Sequence, residues 1–417
     1  MSNTVTHTDS IEQEEHDVEQ KHKHQKKPKS RRPPNTAFRQ QRLKAWQPIL
    51  TPKTVLPIFF LVGVIFAPIG GLLLWASETV QSIKIDYTDC NTTATTEFQQ
   101  IPSDKVETSF SSSNSPARPQ WKREVANVRP PYSVRNISNT PVCTLQFSIP
   151  NDIGPPVYLY YVMTNFYQNH RRYVRSLDTS QLRGDAISKS SIDSSACDPL
   201  RSRDDKPIYP CGLIANSMFN DTINSPVFNN EANEEDPSVF EMTNRSIAWD
   251  SDAELYTKTD YANGDAVPPP YWLERYPNYD EGYPDLSTYE EFQVWMRTAG
   301  LPTFSKLALR NDNDVMRAGI YTMRIYDYFP AHLYDGTKSI LISTRTVVGG
   351  KNSFLGIAYV VIGGLCIVIG LVFTAAHLIK PRRLGDHTYL SWNNSDLPAT
   401  ATTTGREPRP GASSGGA

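Results

Sequence analysis

Two long apolar runs dominate the pattern of hydrophobic and polar positions in this 417-residue chain. Residues 55–76 contain no charged side chain, and residues 354–379 contain His377 as their only acidic or basic one. A helix rises about 1.5 Å per residue, so each run is long enough to cross the hydrocarbon core of a bilayer, which is about 30 Å thick. Since core helices of soluble proteins rarely contain apolar runs of this length, the pattern predicts two transmembrane helices.

Basic residues flank each apolar run on the side nearer the end of the chain. Residues 21–54 contain eleven Lys and Arg and no Asp or Glu, and the second run is followed by the sequence KPRR. The positive-inside rule therefore predicts that both termini are cytosolic and that residues 77–353 form a lumenal or extracellular domain. The first run follows a long polar segment and exceeds the apolar core of a signal peptide, so we expect it to remain as an anchor.

Four of the five cysteines lie in this predicted ectodomain, and Cys366 lies in the second run. An even number of cysteines in an oxidising compartment predicts two disulfide bonds. Three pairings are possible for Cys90, Cys143, Cys197 and Cys211, and we favour Cys197–Cys211 as a short loop with Cys90–Cys143 as the longer one.

Four N-x-S/T sequons lie in the same region, at Asn91, Asn136, Asn220 and Asn244. We expect N-linked glycans there, because such sequons are modified in the secretory lumen. A fifth sequon at Asn393 is on the predicted cytosolic side, where it should stay unmodified.

The two ends of the chain are predicted to be cytosolic. Residues 1–37 are polar and should form a disordered tail, and residues 380–417 a second tail that is disordered from about residue 384. Residues 38–54 have the spacing of an amphipathic helix, which would lie on the membrane surface or dock on a partner. Its two faces would be Leu43, Trp46 and Leu50 on one side and Arg39, Arg42 and Lys44 on the other.

The ectodomain sequence predicts mainly strands. Residues 156–176 open with β-branched and aromatic residues, and residues 318–329 and 338–348 alternate between two faces. Residues 87–150 are rich in Thr, Ser and Pro, which predicts loops with short strands. The expected fold is a membrane protein with two transmembrane α-helices and a large, mainly antiparallel, β-sandwich-like ectodomain with a few short helices.

The clearest helix signal in the ectodomain begins at Ser287. Ser287 and Glu290 have the spacing of a capping box, and apolar residues follow Tyr289 at helical intervals. Gly300 and Pro302 are expected to end this helix.

No motif for catalysis, cofactor binding or a metal site occurs in the sequence. The ectodomain has only two histidines, His170 and His332, which is too few for a histidine-based zinc site. The acidic segments 249–254 and 310–315 lack the spacing of a calcium loop, and we interpret them as surface turns. With a formal net charge of −2, the chain has no general affinity for nucleic acid.

Small residues recur along both apolar runs. Their positions are Gly63, Ala67 and Gly70 in the first run and Gly356, Gly363 and Gly370 in the second. Such stripes allow close helix packing, either between the two runs or against another protein. Pro68 removes one backbone hydrogen bond and predicts a kink. We infer that at least one stripe packs against a larger multi-span partner.

Several long segments resemble the cell-cycle-control-protein-50 family, the accessory β-subunits of type-IV P-type ATPases. They include CGLIANSMFND (211–221), SIAWDSD (246–252), FQVWMRTAGLPTFSKL (292–307), GTKSILISTRTVVGGKNSFLGIAYVVIGGLC (336–366), RRPPNTAFRQQRLKAWQPILTP (31–52) and YYVMTNFYQNHRRYVRS (160–176). The resemblance extends from about residue 31 to about residue 383.

The resemblance implies a non-catalytic subunit in a heterodimer with a ten-span ATPase that moves phospholipids to the cytosolic leaflet. It implies a role in the exit of that ATPase from the endoplasmic reticulum, with residence there and in Golgi, endosomal or plasma membranes. It also implies the pairings Cys90–Cys143 and Cys197–Cys211, and places no catalytic residue in this chain. From the residues alone, a two-span ligand-gated channel subunit and a membrane-tethered ectoenzyme are the alternatives.

Overall fold

The computed structural model describes residues 35–44, 51–111, 117–229, 238–344 and 350–381. The described residues divide into two units, one within residues 59–372 and the other formed by residues 35–44 and 51–58 with 373–381.

The described residues form nine α-helices, three short 3-10 helices and fourteen strands. The α-helices are α1 (Pro52–Glu78), α2 (Cys90–Thr93), α3 (Arg171–Arg175), α4 (Thr179–Leu182), α5 (Lys189–Ile192), α6 (Leu213–Asn216), α7 (Asp250–Ala253), α8 (Glu290–Met296) and α9 (Phe354–Ile379), and the 3-10 helices are Ser103–Lys105, Pro270–Trp272 and Ala331–Tyr334. The strands are β1 (Ser82–Asp86), β2 (Gln99–Gln100), β3 (Val106–Ser109), β4 (Gln120–Val128), β5 (Ile137–Ile149), β6 (Val157–Met163), β7 (Ser202–Arg203), β8 (Lys206–Pro207), β9 (Thr222–Ile223), β10 (Val227–Asn229), β11 (Ser238–Val239), β12 (Phe304–Asn311), β13 (Gly319–Tyr326) and β14 (Lys338–Thr344).

Helices α1 and α9 are the two in the described residues that are long and apolar enough to cross a membrane. Helix α9 has the bounds predicted for the second run. Helix α1 begins three residues before the first run and ends two residues after it, because Pro52 takes the first helical position, where a missing N–H costs nothing. Many apolar side chains on these helices are exposed, such as Leu72 at 66% and Trp75 at 69%, so lipid or another protein has to cover them.

The segment before α1 differs from the predicted amphipathic helix in its described part. Residues 37–41 form a turn, in which Gln41 has a φ of 54°. A positive φ does not continue a right-handed helix, and residues 42–44 are extended or irregular. Trp46 and Leu50, two of the three apolar residues of the predicted face, lie outside the described residues.

The ectodomain contains two large antiparallel sheets. Five strands pair in the order β12-β6-β14-β1-β3, and six pair in the order β11-β10-β13-β5-β4-β2, with β9 added on β13. The strands expected within 156–176, 318–329 and 338–348 are present. The expectation of short strands in residues 87–150 was wrong, because β4 and β5 have nine and thirteen residues and pair along most of their length.

The main hydrophobic core lies between the two sheets. Its side chains come from alternate positions of the paired strands, such as Ile83 and Ile85 in β1, Leu145 in β5 and Ile340 and Ile342 in β14, all at most 1% exposed. Side chains of a strand alternate between its faces, so each sheet turns its apolar face to the other. The predicted β-sandwich-like ectodomain flanked by two membrane helices is therefore confirmed.

A second core is rich in aromatic residues and lies among the short helices. It includes Tyr209, Trp272, Tyr279, Phe292 and Trp295, which are at most 6% exposed. The indole N–H groups of Trp272 and Trp295 donate to the carbonyls of Ala215 and Ile214, at 2.9 and 2.7 Å. These bonds satisfy the polar edge of each ring inside an apolar cluster.

Helix α8 is shorter than the sequence predicted and lacks the predicted capping box. Tyr289 is its N-cap residue, with no side-chain capping bond. The Ser287 hydroxyl instead donates to Asp285 at 2.6 Å. The Glu290 carboxylate accepts backbone N–H groups from residues 246–248 at 2.8 to 3.1 Å, because a loop distant in sequence offers it three donors at once.

Candidate functional site

The two membrane helices pack against each other through their small residues. A Cβ atom added to Gly70 would lie 2.7 Å from the backbone nitrogen of Val360, and one added to Gly363 would lie 2.9 Å from that of Ala67. A Cβ atom added to Gly356 would lie 2.9 Å from the backbone nitrogen of Leu74, and those added to Gly63 and Gly370 would contact the side chains of Ile367 and Phe60. Small residues permit this approach, and dispersion between the two backbones then stabilises the pair.

This arrangement corrects our inference that one stripe is left for a partner helix. The five glycines Gly63, Gly70, Gly356, Gly363 and Gly370 are buried between α1 and α9 of this chain. Pro68 is on the exposed side of α1, which continues as an unbroken helix through it. The adjacent residues Gly71 and Gly364 have no described atom within 4 Å of an added Cβ. These two glycines therefore lie on helix faces that are not packed against the other membrane helix.

The helix pair continues directly into the ectodomain. Helix α1 leads into β1 and β14 leads towards α9, and these two strands are neighbours, with Ser82 opposite Ser343. Where the helices meet the domain, the Ser77 hydroxyl accepts the N–H of Asn352 at 3.0 Å. The five-stranded sheet therefore holds the two membrane helices side by side.

The four ectodomain cysteines are buried and joined in two pairs. The Cα atoms of Cys90 and Cys143 are 5.9 Å apart, and those of Cys197 and Cys211 are 5.7 Å apart. Cys90–Cys143 ties α2 to the long strand β5 inside the main core. Cys197–Cys211 forms the centre of a small separate cluster with Ile192 and Ile208.

A buried ionic cluster lies where several loops meet the end of β14. The Lys338 ammonium contacts the carboxylates of Asp221, at 2.7 Å, and Asp327, and it also donates to the carbonyl of Phe329 at 2.7 Å. Asp221 accepts further bonds from the Tyr87 hydroxyl and from the backbone N–H groups of residues 328 and 329. Burial raises the pKa of Asp327 to about 6, and the nearby Asp221 carboxylate adds to this rise.

This cluster could not be predicted from the sequence, because none of its members belongs to a recognisable motif in its own segment. Lys338 and Asp221 are 117 positions apart, and lysine and aspartate are seldom fully buried. The one available signal was the placement of Lys338 and Asp327 beside strongly apolar alternating segments.

The four sequons occupy different surroundings. Asn136 is exposed. The other three are half-buried: the Asn91 amide donates to Asp327, the Asn244 amide donates to Glu291 at 2.5 Å, and the Asn220 side-chain oxygen is buried with no partner among the described residues.

The described part of the chain was predicted to contain no metal site, and its histidines and acidic segments make other contacts. No three side chains of His, Cys, Asp or Glu there come together around a possible metal ion. The His170 ring accepts the N–H of Arg172 at the start of α3. Asp252 pairs with Arg297, and the side-chain oxygen of Asn311 accepts the backbone N–H groups of residues 313 and 314. The interpretation of 249–254 as a surface turn was wrong, because residues 250–253 form helix α7.

The chain matches a family model described as the LEM3 (ligand-effect modulator 3) family / CDC50 family over residues 73–383. It is 42% identical over 373 residues to the phospholipid-transporting ATPase accessory subunit CRF1 of Saccharomyces cerevisiae, a match that covers 89% of this chain and 91% of the relative. It is 42% identical over 380 residues to the accessory subunit CDC50 of Chaetomium thermophilum, covering 88% and 92%. Cell cycle control protein 50A of Mus musculus is 38% identical over 358 residues, covering 82% and 88%.

Proposed function

Because this chain belongs to the LEM3/CDC50 family, we propose that it is the non-catalytic accessory subunit of a phospholipid-transporting P-type ATPase. The observation that carries the proposal is the near full-length similarity to relatives that are named accessory subunits of such ATPases. The residues that the family model matches, 73–383, include the ectodomain and the second membrane helix.

The composition of the two membrane helices favours an accessory role for this chain over a transport pathway within it. Neither apolar run has an acidic or basic side chain in its middle, and transport pathways usually place such residues at membrane depth. The glycine stripes of α1 and α9 face each other in close contact. A phospholipid headgroup would therefore cross the membrane through the partner, and the exposed apolar faces of this helix pair would contact that partner and the surrounding lipids.

The finer proposal follows from the same family relationship. The partner is a ten-span catalytic subunit in a heterodimer, both termini of this chain are cytosolic, and the ectodomain is lumenal, disulfide-bonded and N-glycosylated. The subunit accompanies its partner out of the endoplasmic reticulum to Golgi, endosomal or plasma membranes.

The test is ATP hydrolysis by the reconstituted complex. We expect phospholipid-stimulated hydrolysis when this chain and its ATPase are present together, and none from either protein alone. The matched control replaces the phosphorylated aspartate of the ATPase, which should abolish hydrolysis while the complex stays intact. Hydrolysis by the purified chain alone would overturn the proposal in favour of an ectoenzyme, and single-channel currents from it would do so in favour of a ligand-gated channel.

A further inference from the structure

A cavity of about 300 Å³ lies between the sandwich core and the aromatic core of the ectodomain. Its apolar wall includes Phe219 and Leu307, and its aromatic rim includes Tyr132 and Tyr289, whose ring centroids are 4.1 Å apart. This volume is at the small end of ligand pockets in proteins, which measure about 300–1,000 Å³. The cavity has room for one ring-sized group.

Two charged side chains on this cavity have polar atoms without partners. Oε2 of Glu291 and Nε of Arg275 are buried and make no hydrogen bond within the described residues. Burial raises the pKa of Glu291, and the Glu291 carboxylate contributes, after burial, to a raised pKa of the Tyr132 hydroxyl nearby. Buried polar atoms without a partner are destabilising, so the site is suited to a ligand that offers a donor to Glu291 and an acceptor to Arg275.

A sequon residue borders the same cavity. Asn244 is one of its lining residues, and the Asn244 Nδ2 atom donates to Oε1 of Glu291 at 2.5 Å. This nitrogen is the atom to which an N-linked glycan is attached, and it retains one N–H after attachment. A second sequon residue, Asn220, is adjacent in sequence to the lining residues Phe219 and Asp221. Among the described residues, Asn220 itself does not line the cavity.

We infer that this cavity holds the first N-acetylglucosamine of a glycan attached to Asn244. The sugar hydroxyls can donate to Oε2 of Glu291, the acetamido carbonyl can accept from Nε of Arg275, and the apolar face of the sugar ring can pack on the tyrosine rim. A sugar placed in this way joins the two cores and fills their shared cavity. The glycan on the exposed Asn136 has no such shelter.

The inference is tested by glycan release from the native full-length chain. Peptide N-glycosidase converts each released Asn to Asp, which peptide mass spectrometry detects site by site. We expect the Asn136 glycan to be released readily and the Asn244 glycan to be released slower by on the order of tenfold or more, because cleavage must wait for local opening of the domain. After denaturation both should be released at the same rate.

Two results in the wild-type chain would overturn the inference: an unmodified Asn244, or equal release of both glycans from the native chain. The inference rests on the proposed lumenal orientation, and Asn136 separates the two claims. If Asn136 also carries no glycan, the proposed lumenal orientation is wrong. If Asn136 carries a glycan, but Asn244 carries none or releases its glycan as fast as Asn136 does, only the assignment of the cavity is rejected.

A variant tests the named contact. Glu291→Ala should raise the rate of native release at Asn244 towards that at Asn136, while Glu281→Ala, which removes an exposed carboxylate outside the cavity, should leave both rates unchanged. If the Asn244 glycan is still released slowly from Glu291→Ala, Glu291 does not bind the sugar as proposed. If this variant does not fold, the wild-type comparison of the two glycans still decides.

Discussion

The Lys338 ammonium lies 2.7 Å from a carboxylate oxygen of Asp221, and the two side chains are only 2% and 0% exposed. The contact joins the first residue of β14 to the loop that precedes β9. Because β14 is the strand that leads towards the second membrane helix, this buried pair links the loops of the ectodomain to the strand that holds the helices. Charges so deeply buried are tolerated only when every partner is in place.

Lys338→Met should therefore destabilise the chain strongly. Removing one partner of a buried ion pair costs about 3–5 kcal/mol, because the remaining charges stay buried without compensation. The matched control is Glu107→Gln, which breaks the exposed pair Lys84–Glu107 and should cost at most about 1 kcal/mol. Thermal unfolding of the detergent-solubilised chain, followed by tryptophan fluorescence, measures both. Equal effects of the two substitutions would show that the buried cluster has no special role.

The same cluster should make stability depend on pH through Asp327. Its pKa is about 6 in the folded chain against an ordinary value of 3.8, so the folded state binds the proton more tightly than the unfolded state. Between these values stability must fall as pH rises. We expect the wild-type chain to gain stability relative to Asp327→Asn as pH is lowered from 7 to 4.5, by on the order of 1 kcal/mol per pH unit between the two pKa values.

The measurement is the melting temperature of both proteins across this pH range. A difference between them that does not change with pH would mean that Asp327 has the same pKa in both states, contrary to this account.

The packing of the helix pair can be tested at two adjacent glycines. Gly363→Val places a side chain against the Ala67 backbone, whereas Gly364→Val points into open space. Overpacking of this kind costs about 1–3 kcal/mol, so Gly363→Val should lower the melting temperature and broaden the size-exclusion profile of the purified chain. Both substitutions change the intrinsic helix propensity equally. If the two variants behave alike, α1 and α9 are not packed through this stripe.

The disulfide Cys197–Cys211 should be needed for export. It closes a loop of about 15 residues, which in the chain-entropy model stabilises by roughly 3 kcal/mol. Cys197→Ser should therefore retain the chain in the endoplasmic reticulum and reduce its assembly with the ATPase. Fluorescence localisation measures the first effect and co-purification the second. Cys366→Ser, which alters the free cysteine of α9, is the control, and normal export of Cys197→Ser would contradict the prediction.

The sequence predicted those features that repeat within one segment. The membrane helices and the strands around Ile340 and Met323 could be identified because burial follows the period of the element. The capping box at Ser287 and Glu290 was predicted wrongly, since Glu290 bonds to residues 246–248. Strand β5 was predicted as short because Pro141 and several Thr and Ser residues weaken its local signal, yet pairing on both sides forms it.

Less of the candidate site than of the fold could be predicted from the sequence. The glycine stripes could be identified, but their partner could not, because spacing alone does not show which helix faces which. The cavity and the Lys338 cluster depend on contacts between residues such as Asn244 and Glu291, which are 47 positions apart. Only the folded chain brings such groups together.

The central claim is that this chain acts as part of a larger lipid-transporting ATPase, and the most direct test is to identify what it binds. The full-length chain is extracted from its native membrane in mild detergent, purified by an affinity tag, and analysed by native and peptide mass spectrometry. Our account predicts a one-to-one complex with a ten-span P-type ATPase that hydrolyses ATP in response to phospholipid. Recovery of the chain alone, or as a homo-oligomer that is active without a second protein, would contradict it.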